Sequence, residues 1–171
     1  MSRTLVVYYS RSGNTRLVAE KLAKVLGADL EPIVDPTQRR GLFGYLRSGF
    51  QAISGAEPDI AAAVHDPSTY DAVFVGSPVW AQRLSSPVRT YLTRHRRNFK
   101  TVSFFVTCGR DYERAFRQMA AAAGTEPEAT LAVSDDNLTR PDLSERIAAF
   151  ARRGTPAVAM PEPAFAAPEL T

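Results

Sequence analysis

Six residues, Ser10-Arg11-Ser12-Gly13-Asn14-Thr15, constrain this chain more than any other stretch. They follow an apolar run, Leu5-Val6-Val7-Tyr8-Tyr9, whose length and β-branched or aromatic content are those of a buried strand. They open into Leu17–Leu26, where Leu17, Val18, Leu22, Val25 and Leu26 recur at helical spacing before Gly27 stops the run. A hydroxyl-rich loop with a glycine, set between a strand and a helix N-terminus, gathers N–H and O–H donors that suit a phosphate. A plain N-capped helix would need one such hydroxyl; three surround this glycine. The spacing is neither GxxxxGK[ST] nor GxGxxG, so neither a nucleoside triphosphate nor a dinucleotide fingerprint is present.

Along the chain the pattern repeats. A short run at 28–34 is broken by Pro32, which predicts an edge strand. In residues 35–58, Phe43, Leu46, Phe50 and Ile53 keep the spacing of a helix that would cover one sheet face. A buried strand is expected at 71–76, an irregular loop at 77–86, and a helix from Val88 to about His95 with Pro87 in its first turn. A strand at 101–107, a helix at 113–123, a weaker strand at 129–133 and a final helix at about 142–153 follow. Strands and helices thus alternate five times, which predicts a doubly wound, five-stranded parallel sheet with helices on both faces. Residues 1–153 are read as that domain. Residues 154–171, with four prolines, are read as a tail. The loops at 10–15, 76–86 and 107–112 should meet beyond the carboxyl ends of the strands, where such sheets bind ligands.

The 171 residues allow one domain with a sizeable core, and no apolar run approaches the ~20 residues of a membrane span. No secretory signal is expected ahead of the first strand, and Cys108 is the only cysteine, which suits a reducing, cytoplasmic setting. One cysteine and two separated histidines also make a metal centre unexpected. From Gly76 to Arg110 there is no Asp or Glu, against seven Lys or Arg. Nucleic acid is disfavoured as the reason, because no aromatic-interleaved basic motif accompanies them.

The loop at 10–15 resembles the phosphate loop of the flavodoxin family, [ST]-x-[ST]-G-x-[ST], with Ser10, Ser12, Gly13 and Thr15 on its four positions. The resemblance extends over about residues 3–153 and looks like the short-chain type, with sheet order 2-1-3-4-5. It implies FMN as cofactor, held by Ser10, Arg11, Ser12, Gly13, Asn14 and Thr15 at the phosphate. Ser77, Pro78, Val79 and Trp80 would form one wall of the flavin ring, and Cys108, Gly109, Arg110, Asp111 and Tyr112 the other. A planar tricycle wants an aromatic face and backbone polar groups. Trp80 is also open to a core-packing reading, and Tyr112 to one as the start of a helix. Cys108 reads as a packed loop residue.

The resemblance implies electron transfer through the flavin, the chemistry being the cofactor's and no catalytic side-chain set being needed. The alternative is an NAD(P)H-dependent reductase of quinones or other small acceptors, and a third reading is an interaction domain of the same fold without flavin. Whether the protein is an enzyme stays open at this point. The acid-poor stretch departs from the acidic flavin edge of familiar flavodoxins. If Arg83 and Arg110 rim the ring, the mouth is basic and suits an acidic redox partner or an anionic small molecule such as NADPH. The bland alternative puts Arg94, Arg96, Arg97 and Lys100 on a solvated helix end.

Overall fold

The computed structural model describes residues 3–36, 59–109 and 111–156. The predicted helix around Phe43–Ile53, the site residue Arg110 and residues 157–171 of the tail lie outside them. Strands β1 (Thr4–Tyr8) and β5 (Val102–Cys108) are buried throughout, and β3 (Ala72–Trp80) nearly so. Strands covered on both faces read as continuous apolar runs, as these do. With β2 (Asp29–Pro32) and β6 (Thr130–Ser134) they form a parallel sheet in the order β2-β1-β3-β5-β6. Counting only these five strands, the order is the expected one. β4 (Arg83–Leu84) adds a sixth strand, antiparallel to β3.

Alternate residues of each strand feed two cores. Leu5, Val7, Val73, Val75, Phe104 and Val106 share one cluster with Tyr91, Leu92 and Met119. Those three come from helices α2 (Ser86–Arg94) and α3 (Glu113–Ala123). Val6, Tyr8, Phe74, Phe105, Leu131 and Val133 share the other with Val18, Leu22, Ile147 and Phe150. These four belong to α1 (Asn14–Leu26) and α4 (Leu143–Gly154). A period of two on the strands meeting a period near 3.6 on the helices produces this division. At Gly76 the chains run so close that an added Cβ would lie 2.1 Å from the Phe105 ring. Only hydrogen fits there.

Pro32 does end an edge strand, paired with Tyr8 on one side only. Past it, the Ile33 N–H donates to the Tyr8 carbonyl at 2.7 Å. The segment entering at 59–66 covers this edge: the buried Glu31 carboxylate accepts the N–H groups of Val64 and His65 at 2.7 and 3.0 Å. The Tyr70 hydroxyl lies 2.7 Å from both the Asp29 carboxylate and His65 Nδ1. His65 is thus a structural residue, and among the described residues no His, Cys, Asp and Glu cluster could hold a metal.

The expected irregular loop at 77–86 is not what forms. β3 runs on through Ser77–Trp80, turns at Ala81 and Gln82, and pairs back as Val79 with Leu84 and Trp80 with Arg83. Ala81 and Gln82 both have positive φ, 46° and 60°, the backbone that two-residue hairpin turns require. The turn lacks the Asn-Gly or Gly-Gly pairs that usually announce it, so tertiary contacts hold it. Ser77 Oγ and Ser85 Oγ meet at 2.8 Å across its base, and the Leu84 N–H donates to Gln118 Oε1 of α3 at 2.9 Å.

Candidate functional site

Strands β1, β3, β5 and β6 end in register at one edge, Tyr8 beside Gly76, Pro78 beside Thr107 and Cys108 beside Ser134. The three expected loops therefore converge, joined by a fourth, the turn after β6. After β1 the Tyr9 N–H still bonds the Gly76 carbonyl at 3.1 Å, and then the chain leaves the sheet. Gly13, at φ 102°, bends it into α1, a conformation that side-chain-bearing residues resist. The Gly13 N–H folds back onto Ser10 Oγ at 3.1 Å. No side chain caps α1, and its first turn carries no acid. Its leading amides therefore face the loop's open side without a side-chain acceptor from the cap residue, as a phosphate site needs.

A cleft of about 160 Å³ lies above this loop. Arg11, Ser12 and Asn14 line one side, Pro78, Val79 and Trp80 another, and Cys108 and Gly109 a third. Of the remaining expected site residues, Ser10 and Gly13 shape the loop, while Ser77 is wholly buried as the hairpin's hydrogen-bonding node. Thr15 is buried as well, its hydroxyl 2.7 Å from that of Thr107. Tyr112 sits at the head of α3, its ring edge-on to Phe116 5.8 Å away. It faces a separate flank groove of about 900 Å³ beside Phe116, Arg117 and Arg96. That groove is larger than the cleft and runs along α3, from Tyr112 at its head to Thr130 at the start of β6. Neither Asp111 nor Tyr112 lines the cleft.

Trp80 is 7% exposed. Its ring meets Tyr9 edge-on at 5.6 Å, and the Arg11 guanidinium lies 5.9 Å from its centre. The indole is thus both a member of the core and a wall of the cleft. Burial pushes the Cys108 thiol up, and the Asp135 charge adds to this, so the sulfur stays protonated near neutrality.

Thr107, the first residue of the expected loop at 107–112, also lines the cleft, and one lining residue, Asp135, escaped the sequence reading. Asp135 Oδ1 accepts from Asn14 Nδ2 at 2.9 Å, tying the turn after β6 to the loop after β1. The signal was available: every loop after a parallel strand arrives at this edge, including the polar turn at 135–137.

The acid-poor stretch does not gather at the cleft. Arg94 bonds the Ile60 carbonyl and the Asp59 carboxylate. Arg96 bonds the carbonyls of Ala121 and Ala122 at the end of α3, and Lys100 bonds Asp71 at 3.2 Å. These positions lie at the amino ends of the strands. Arg11 lines the cleft, and Arg83 sits in the hairpin opposite Trp80.

The sequence model of the flavodoxin family matches residues 46–149. Solved structures agree with it. The FMN complex of a flavoprotein from Lactobacillus acidophilus NCFM is 25% identical, with 77% of this chain and 93% of that one covered and a TM-score of 0.69. A structure from Bacteroides eggerthii DSM 20697 is 26% identical over 90% of this chain and 98% of its own, with a TM-score of 0.72. Oxidised flavodoxin 2 from Bacillus cereus, 17% identical, shares the fold over 89% and 97% with a TM-score of 0.53. No curated protein matches the chain.

Proposed function

Because the chain belongs to the flavodoxin family, we propose that the cleft binds FMN and that the protein carries electrons through it. The observation that carries this reading is the cleft itself, with an uncapped helix N-terminus on one side and Pro78, Val79 and Trp80 on another. The donor set fits the terminal phosphate: the first amides of α1, the Ser12 hydroxyl and the Asn14 loop, with no acid in that turn. Gly109 fits the ring side, since an added Cβ there would meet nothing within 4 Å and the backbone stays open to a ligand.

When bound, FMN supplies the electron chemistry. The chain's residues bind and orient it. The α1 amides and Ser12 hold the phosphate, and Arg11 bridges from this loop to the Trp80 ring on the hairpin. Pro78, Val79 and Trp80 exclude water from one side of the ring. The hairpin keeps its place through Ser77–Ser85 and Gln118.

Among the described residues, the titratable groups on the cleft are Arg11, Cys108 and Asp135, and Cys108 holds its proton. Because the electron chemistry is the cofactor's, the chain need supply no acid or base of its own, which supports an electron carrier working with a protein partner. An NAD(P)H-dependent reductase of small acceptors is the second reading, favoured by Arg11 on the rim. The absence of any helix long and apolar enough to cross a membrane among the described residues is compatible with either. A reducing, cytoplasmic setting also suits the single thiol.

One experiment separates these. Flavin extracted from the purified chain, or taken up by the stripped chain, is identified by chromatography, and NADPH is then added to the coloured protein. FMN that bleaches only with an added reductase supports the carrier. Direct bleaching by NADPH decides for the reductase, and FAD or no flavin overturns both.

A further inference from the structure

Thr15 and Thr107 enter the site from different elements, one in the first turn of α1 and the other near the end of β5. Their hydroxyl oxygens lie 2.7 Å apart, and the two residues are 1% and 5% exposed. Each hydroxyl has one proton, so one proton is used between the oxygens and one remains. The placement of the two residues decides which. Thr107 lines the cleft and Thr15 does not. With Thr15 donating, Thr107 keeps its proton and presents it to the cleft. With the reverse assignment, the remaining proton belongs to the residue beneath the loop, where a buried donor without an acceptor is costly.

We propose that Thr107 donates a hydrogen bond to the phosphate of the bound flavin nucleotide, and that Thr15 is a positioning residue acting through Thr107. This rests on the FMN reading above. The last hydroxyl of the phosphate-loop motif then serves the ligand at one remove, and a strand residue outside the motif makes the contact. Phosphate, rather than the rest of the ligand, is the partner because Thr107 is held against the first turn of α1, where the helix amides converge.

The test compares FMN with riboflavin, which lacks the phosphate, on the full chain stripped of flavin. Thr107→Val is expected to weaken FMN binding about tenfold, the scale of one hydrogen bond to a charged group, and to leave riboflavin binding unchanged. Thr107→Ser, which keeps the hydroxyl, restores FMN binding. Thr15→Val weakens FMN binding similarly, and the double variant is no worse than Thr107→Val alone, since both act on one contact. Equal losses for FMN and riboflavin, no loss for either, or additive losses in the double variant would overturn the inference. A wild-type chain that binds neither flavin overturns the FMN reading and this inference with it. A wild type that binds FMN beside a Thr107→Val variant that binds it equally well overturns this inference alone.

Discussion

The two ends of the sheet use their polar residues differently. At the amino end, Arg94, Arg96 and Lys100 are each bonded to the chain itself, and the Arg3 N–H donates to Asp71 at 2.9 Å. At the carboxyl end, Arg11, Ser12, Asn14 and Asp135 line a cleft, where the loops are tied to one another by the Asn14–Asp135 bond and by Arg11 against the Trp80 ring. One end closes the fold and the other is left to recognise something. In a parallel sheet each connection passes both ends, so a charge run continuous in sequence is divided between them. Among the described residues, the cations of the acid-poor stretch therefore do not make one basic mouth.

If that division is real, substitutions at one end change flavin binding and those at the other change stability. Trp80 is the residue that should break it, because it belongs to both the core and the cleft. Trp80→Ala is expected to cost about 3 kcal/mol of unfolding free energy, the lower range for removing a buried indole. It should also weaken FMN binding. Denaturant melts with and without FMN measure both. A variant of unchanged stability would show that the indole is not packed as described.

Ser12→Ala sharpens the comparison on the cleft side. It removes one charge-assisted hydrogen bond, worth about 1.5–3 kcal/mol, so FMN affinity should fall at least tenfold. Ser12 is exposed, and the melt of the flavin-free chain should not move. Arg96→Ala is the counterpart at the other end. It strips the last carbonyls of α3 of their donors, at a cost of about 1 kcal/mol, and should leave FMN affinity intact. Loss of flavin binding in Arg96→Ala would dissolve the distinction.

Charge reversal probes the same distinction through kinetics. Arg11→Glu puts a carboxylate on the cleft rim, and Lys100→Glu puts one at the far end. Steering of an anionic donor should weaken severalfold in the first and hardly at all in the second, the difference shrinking as salt rises. Stopped-flow reduction at two ionic strengths reads this. Equal slowing by both would mean that net charge, not its placement, governs approach.

The elements were legible because each carried a strong local signal. Glu113 to Ala123 is amphipathic and ends at Gly124, and the central strands β1, β3 and β5 are apolar over most of their length. The convergence of the loops followed from strand alternation alone. What was not legible depended on contacts between distant residues. The Ala81–Gln82 turn has no turn-forming residue and is held by Ser77, Ser85 and Gln118. Thr15 was legible as a phosphate-loop hydroxyl and Thr107 as the start of the loop at 107–112, but their pairing across 92 positions was not. The cations were legible as a cluster only because sequence does not show which end of the sheet each one reaches.

The smallest effect concerns His95, at the end of α2 on the amino side. Its ring is stacked obliquely on Tyr91, 4.6 Å between centres, and burial lowers its pKa below the ordinary 6.5. The charges of Asp66 and Glu31 oppose that shift, while Arg94 reinforces it. A histidine whose folded pKa is depressed takes up its proton more readily in the unfolded chain. Its contribution is therefore complete above about pH 6.5, and is lost as pH falls through that value toward the folded pKa. Stability should decline over this window, and His95→Gln, which cannot be protonated, should flatten the decline. FMN affinity should show no matching step, because the ring lies at the end of the sheet away from the cleft. Melts at several pH values between 5 and 8, roughly the span in which histidine titrates, compare the two chains. Parallel curves for wild type and His95→Gln would assign the decline to other groups.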